Sequence, residues 1–190
     1  MDPSGPCLEL PLLETPRLRL RKFTLQDAPG VFAYASDPEV VRYLLWAAHK
    51  SVAESQADLE RVIKAYGSTT DLRWGIELKS TGRLIGGCKL TCQLAHQRAE
   101  VGYVLAREHW GCGYAAETVQ AILRHGFTQI GLNRIEALTF AEHSASMRVL
   151  EKCGFQCEAI LREYELLKGK LTDLRMYSML RSEWRNRVIE

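Results

Sequence analysis

Residues Trp110 to Ala116 read Trp-Gly-Cys-Gly-Tyr-Ala-Ala and stand between a strand-like run and a long amphipathic segment. Gly111 and Gly113 carry no Cβ, so the backbone can turn tightly there and approach a ligand closely. The helix expected to follow offers unpaired N–H groups and the positive end of its dipole. Together these features make an anion site, most often for phosphate or pyrophosphate. A Walker-type loop is excluded, because no Gly-Lys-Ser/Thr closes the segment. A dinucleotide fingerprint fits in part. Gly111-Cys-Gly113-Tyr-Ala-Ala116 matches Gly-x-Gly-x-x-Ala, and Glu136 stands about 20 residues on, where a ribose contact belongs. Against it, Ala106 to Trp110 separate the strand from the first glycine, where that fingerprint has a tight turn. A loop that only turns the chain is the plainest alternative.

The elements that must position this loop are legible from periodicity. Leu18 and Leu20 alternate with Arg17, Arg19 and Arg21, which predicts a half-buried strand between Thr15 and Phe23. Thr24 with Asp27 is an acidic capping box for a helix to about Ala35. Asp37-Pro38 opens a short helix to about Tyr43. Ser51 to Tyr66 has helical period, with Val52, Leu59, Val62 and Ile63 on one face. Three strands follow, at Leu72 to Leu78, Leu84 to Thr91 and Ala99 to Leu105, with a hairpin turn at Ser80-Thr-Gly82. A helix is predicted from Tyr114 to Ile130, stopped by Gly131. A strand from Arg134 to Phe140, a helix from Ser146 to Cys153 stopped by Gly154, and strands at Gln156 to Glu163 and Asp173 to Leu180 complete the chain. Lys168-Gly169-Lys170 is expected at a solvated hairpin tip. This order predicts a mixed α/β sheet rather than a regular βαβ series.

The chain of 190 residues is large enough for one domain with its own core. Its apolar content of 46% and charged content of 25% are those of a globular protein. A formal net charge of +2 gives no reason to expect nucleic acid or an anionic membrane as partner. Met1 to Leu13 has no basic n-region and resembles no secretory signal, and no apolar run approaches the ~20 residues that span a bilayer. A cytoplasmic protein is expected. The six cysteines (Cys7, Cys88, Cys92, Cys112, Cys153 and Cys157) form no Cys-x-x-Cys pair, and the five histidines form no ligand pattern. Reduced thiols and no metal site are expected.

A coenzyme A site is the remaining reading of the glycine loop, and four sequence blocks carry a resemblance that favours it. They are Ala99-Glu-Val-Gly-Tyr-Val-Leu105, Trp110-Gly-Cys-Gly-Tyr-Ala-Ala-Glu117, Gly131-Leu-Asn-Arg-Ile-Glu136 and Ser146-Met-Arg-Val-Leu-Glu-Lys-Cys-Gly-Phe155. In this order the chain resembles the GCN5-related N-acetyltransferases (GNAT), and in particular the branch that acetylates the N-terminal alanine of ribosomal proteins. The resemblance runs from Thr15 to Trp184. It implies a GNAT fold of α/β (α+β) class: a mixed, mostly antiparallel sheet of about six to seven strands, splayed at a V-shaped cofactor cleft and flanked by about four helices. It implies a single domain over residues 15–185 behind an extension at 1–14, and a strand bulge after about Tyr103. Acetyl-CoA would pair its pantetheine arm with backbone around Val104 and Leu105. Its pyrophosphate would lie on backbone N–H groups from Gly111 through Cys112, Gly113 and Tyr114 to Ala115, beside Trp110. By analogy a homodimer is expected. Two departures stand out: His143 replaces the Asn usual in this branch, and Leu150 stands where many relatives carry a tyrosine acid.

An amine attacking a thioester must be neutral, passes through a tetrahedral oxyanion and expels a thiolate, so the reaction calls for a weak base, an oxyanion donor and an acid. Glu100 shares a strand face with Gly102 and Val104 and is the candidate base, acting through water; the alternative is an exposed strand carboxylate. Ser146 is the candidate donor to the departing sulfur, or else a helix cap. His143 is a cofactor contact or a plain loop histidine. A backbone N–H near Val104 is the candidate oxyanion donor. Tyr43, Leu44, Leu45 and Trp46 form an apolar patch that is either core or the roof of the acceptor pocket. The expected activity is direct acetyl transfer to a primary amine, a protein N-terminus first. A small-molecule amine such as a polyamine or an antibiotic, and a non-catalytic acyl-CoA-binding module, are the alternatives.

Overall fold

The computed structural model describes residues 8–67 and 70–189, with side chains to residue 186. Eight strands form one sheet in the order β1-β2-β3-β4-β5-β6-β8-β7. They are β1 (Leu13–Glu14), β2 (Leu18–Arg21), β3 (Asp71–Leu78), β4 (Arg83–Gln93), β5 (Arg98–Leu105), β6 (Arg134–Phe140), β7 (Gln156–Leu167) and β8 (Lys170–Leu180). Every neighbouring pair is antiparallel except β5 and β6. Five α-helices accompany the sheet: α1 (Ala28–Ala35), α2 (Val52–Ala65), α3 (Tyr114–His125), α4 (Ser144–Cys153) and α5 (Arg181–Ile189).

The two faces of the sheet bury different helices. On one face α1 and α2 pack Val31, Tyr34 and Leu59 against Phe23, Leu84 and Val104. On the other, Val119, Ile122 and Leu123 of α3 and Leu150 of α4 close over Leu20, Trp74, Ile76, Leu90 and Val101. The amphipathic spacing of α3 dictates this arrangement, because its apolar stripe can only be buried against an apolar sheet face. Gly131, at φ +82°, ends the helical run after a wider turn over Gly126–Ile130.

The structure extends the sequence reading in several places. The sheet has eight strands rather than six or seven, because Leu13–Glu14 pairs with Leu20 and Arg19. Residues 10–14 therefore pack with the fold: Leu10 is in the core, and the Pro11 carbonyl accepts a hydrogen bond from Trp74 Nε1 at 2.8 Å. A two-residue strand has no period to read. The expected helix at Asp37–Tyr43 is only a 3₁₀ turn at Val41–Tyr43. Strands β7 and β8 run longer than predicted, with register shifts at Cys157/Ala159 and Leu161/Glu165 that break the alternation. Cys7 lies outside the described residues.

Candidate active site

The lone parallel pair is the origin of the site. β5 and β6 are in register only from Arg98/Arg134 to Glu100/Glu136. Beyond that point β5 continues to Leu105 and β6 to Phe140 without pairing. The strands splay, and backbone polar groups that a sheet would use internally are left facing the gap. A cavity of about 500 Å³ opens there, lined by β4, β5, β6, the head of α4 and the segment Tyr43 to Trp46. The expected V-shaped cleft is present. The expected bulge after Tyr103 is not a register shift, since β4 and β5 pair continuously to Gly86/Leu105. The strain is taken up by composition instead: a Cβ on Gly86 would overlap the Val104 carbonyl oxygen.

Alternation along β5 divides its side chains between the two faces. Val104 faces α1 and α2, so Glu100 and Gly102 face that way too. Opposite Gly102 on β4 stands Lys89. Its stem lies across the glycine, where a Cβ would meet Lys89 Cε at 2.9 Å, and its Nζ lies 3.4 Å from Glu100 Oε1. The Glu100 side chain is 38% exposed and lines the cavity. Its register partner on β6, Glu136, is committed elsewhere: Arg134 Nε binds it at 2.9 Å, and its side chain is only 14% exposed. Glu136 is thus an ion-pairing strand carboxylate, not a free ribose ligand.

The other face of β5 carries Tyr103. Its hydroxyl meets Ser146 Oγ at 3.0 Å and the Ser146 carbonyl at 3.3 Å. Burial pushes the phenol up to about 12, so it stays protonated across the working pH range. Ser146 is not a helix cap: α4 begins at Ser144 with His143 at the N-cap, and the Ser146 hydroxyl turns to Tyr103 instead. Thr139 on β6 is 4% exposed, lines the same cavity, and its Oγ1 has no hydrogen-bond partner among the described residues. A buried hydroxyl without a partner is costly and suits a ligand's hydrogen-bonding group. Leu150 is buried in the core and offers nothing to the cavity.

His143 and the N-terminal segment close one side. The imidazole stacks on Tyr43 with ring centroids 4.5 Å apart, and Tyr43 in turn stacks on Phe140 at 6.2 Å. Burial lowers the His143 pKa below its usual value, which keeps the ring neutral near pH 7. The Tyr43–Trp46 patch lines the cavity, with Leu45 and Trp46 exposed. Lys168, expected to be merely solvated, donates from Nζ to the Val41 carbonyl at 2.9 Å and ties the β7–β8 hairpin to this segment.

The glycine loop lies where β5 hands over to α3. Gly111 and Gly113 have φ of +76° and +82°, a region that suits glycine. The first intrahelical bond runs from Glu117 N–H to the Gly113 carbonyl, which leaves the N–H groups of Tyr114, Ala115 and Ala116 outside the ladder. Trp110 Nε1 donates to the Leu105 carbonyl at 2.9 Å, so the indole fastens the loop to the end of β5. Cys112 is exposed. Arg17, which sequence reasoning did not single out, latches the loop from the far side. It donates to the Cys112 carbonyl at 3.0 Å, pairs with Glu117 at 2.7 Å, and stacks its guanidinium over Tyr114 at 4.5 Å. Burial pushes the Glu117 carboxyl upward, but hydrogen bonds from Thr15 and Arg17 outweigh it and hold the pKa below the usual range. Cys153 Sγ donates to the Ala116 carbonyl at 3.6 Å, which sets α4 beside the loop. The loop thus follows the C-terminal end of β5, and the splay and the cavity lie along the strand before it. Among the described residues no cluster of His, Cys, Asp or Glu is placed to hold a metal ion, and no helix is long and apolar enough to cross a membrane.

Comparison with known proteins agrees with this geometry. Residues 17–156 match the acetyltransferase (GNAT) domain. The N-acetyltransferase YoaA of Bacillus subtilis, itself uncharacterized, is 39% identical over 173 residues, 90% of this chain and 97% of that one. The ribosomal N-acetyltransferase-like protein YdaF of Bacillus subtilis is 30% identical over 89 residues, 47% of this chain and 49% of its own length. Among solved structures, a spermidine N-acetyltransferase from Vibrio cholerae in complex with CoA and spermine superposes with a TM-score of 0.78 at 24% identity. That superposition covers 90% of this chain and 100% of the other, and the likeness is one of fold. The chain belongs to the GNAT acetyltransferase family, and it is an acetyltransferase.

Proposed function

We propose that this enzyme transfers acetyl from acetyl-CoA directly to a primary amine in a ternary complex, and that the acceptor is a protein N-terminal α-amine. The observation that carries this reading is the β5–β6 splay, because one cavity receives both faces of β5 at once. Acetyl-CoA supplies the thioester carbonyl: the amine nitrogen forms the C–N bond as the C–S electron pair leaves on sulfur. Glu100, on one face, takes the amine proton through water. Ser146, on the other, meets the departing sulfur. A backbone N–H near Val104 serves the oxyanion. Gly111 to Ala115 hold the pyrophosphate on backbone N–H groups, beside Trp110, and the unpaired edge of β5 at Val104 and Leu105 holds the pantetheine arm. His143 and Thr139 face that arm from α4 and β6. Holding amine and thioester together in this gap supplies much of the rate.

Two features support a peptide acceptor. The cavity mouth is open and carries exposed Leu45 and Trp46, which suit the side chains that follow a terminal amine. Glu165, also at the cavity, makes no ion pair among the described residues and can meet the incoming ammonium. A small-molecule amine is the rival acceptor, of the kind used by the spermidine acetyltransferase that shares the fold. A mass-spectrometric screen of acetyl transfer to N-terminal peptides and to small amines separates the two. Turnover on peptides that depends on the first residues supports the proposal. Turnover on polyamines alone, with peptides inert, overturns it.

A further inference from the structure

Tyr103 takes no part in that transfer, yet its hydroxyl lies within hydrogen-bond distance of Ser146 Oγ. The two residues come from different elements and meet at 3.0 Å across the wall of the cavity. A serine on a helix readily spends its one proton on a backbone carbonyl of the preceding turn. Here the carbonyl one turn back, that of His143, already accepts from the N–H groups of Ser146 and Met147. Of the two acceptors within reach of Tyr103 O–H, the Ser146 Oγ at 3.0 Å is nearer than the Ser146 carbonyl at 3.3 Å. We propose that Tyr103 is a positioning residue for the leaving group: its O–H donates to Ser146 Oγ, and this turns the Ser146 proton into the gap where the thiolate forms.

The inference rests on the acetyl-CoA reading of the cavity. As the C–N bond forms, the C–S pair moves to sulfur, the amine proton passes to Glu100, and sulfur departs as thiolate. The chain Tyr103 O–H to Ser146 Oγ, then Ser146 O–H to sulfur, places two aligned hydroxyl dipoles behind that charge, and each strengthens the other. Burial keeps Tyr103 in its donating form. Helix α4 offers no substitute, because Leu150 is packed in the core. Among the described residues, the titratable groups that line the same cavity include Glu100 and Lys89 on the opposite strand face, Tyr43, His143 at the head of α4 and Glu165 of β7, and Cys153 further along α4 acts on Tyr103.

The test titrates the thiol of CoA bound to the enzyme, read by the ultraviolet absorbance of the thiolate. Wild-type enzyme should ionise the bound thiol at lower pH than free CoA. Tyr103→Phe should lower the thiolate-to-thiol ratio at a given pH by about tenfold, the scale of one hydrogen bond to a charged group. Ser146→Ala should lower it at least as far, Ser146→Thr should keep it, and the double variant should match Ser146→Ala because one residue acts through the other. In turnover, Tyr103→Phe should lose about tenfold in kcat while KM for acetyl-CoA stays within about twofold. A titration unchanged by Tyr103→Phe, or effects of the two substitutions that multiply, overturns the proposal. Calorimetry distinguishes the deeper failure: wild-type enzyme that binds no CoA overturns the cofactor reading and this inference with it.

Discussion

In the proposed acetyl transfer the glycine loop and the open edge of β5 serve the same ligand, but they are made of different material. In the loop the proposed working groups are backbone N–H groups at the head of α3, while the Arg17 and Trp110 side chains bond to the backbone of Cys112 and Leu105. At the β5 edge the proposed working groups are side chains, Glu100 on one face and Tyr103 with Ser146 on the other. The loop is suited to holding an anion whose charge does not change during the reaction. The edge is suited to moving a proton and meeting new charge. Binding and chemistry should therefore respond to different substitutions.

The largest expected separation is at Glu100. Glu100→Gln should lower kcat by at least about a hundredfold, the contribution of a positioned general base, with calorimetric CoA affinity unchanged. If turnover survives, the edge works by positioning alone and the contrast fails. Next comes Gly113→Val, which forces a β-branched residue to φ near +82° with Arg17 Nη2 3.4 Å from the new Cβ. A left-handed conformation costs about 1–2 kcal/mol, so CoA affinity should fall by about tenfold or more, while kcat at saturating cofactor changes little. Arg17→Ala is smaller. It removes the latch on Cys112 and Glu117 from a half-exposed position, and should cost about 1 kcal/mol in calorimetric stability and weaken CoA only a few-fold.

The smallest effect concerns a carboxylate outside both regions. The bidentate Arg134 guanidinium, with Ser178, holds the Glu158 carboxyl down at about 2. Its folded pKa lies below the unfolded value of 4.5, so its stabilisation is present above that value and is lost as pH falls toward 2. Glu158 is largely exposed, and the loss should stay under about 1 kcal/mol. Melting curves of Glu158→Gln should show a weaker decline than wild type across that range.

The same contrast explains what the sequence disclosed. Gly111, Gly113 and the stripe of α3 are local signals, because tight turns and helix starts are chosen by residues next to one another. Glu100 could be assigned to a strand face by alternation. Tyr103 could not be joined to Ser146, since their contact depends on how α4 settles on the sheet, 43 residues later in the chain. Arg17 reaches the loop across 95 residues. The Lys89 stem lies across Gly102 only because of the β4–β5 register, which neither strand's sequence displays. The stop in β5–β6 pairing after Glu100 is invisible in either strand alone.

The claim that binding and chemistry are carried by separate parts is tested most directly in the double variant Gly113→Val/Glu100→Gln. CoA affinity by calorimetry and kcat at saturating acetyl-CoA should be measured on both single variants and the double. The account predicts that the double variant has the CoA affinity of Gly113→Val and the kcat of Glu100→Gln, each within about twofold, as independent sites require. Weakening of CoA by Glu100→Gln to the extent seen in Gly113→Val, or loss of kcat in Gly113→Val to the extent seen in Glu100→Gln, would contradict it.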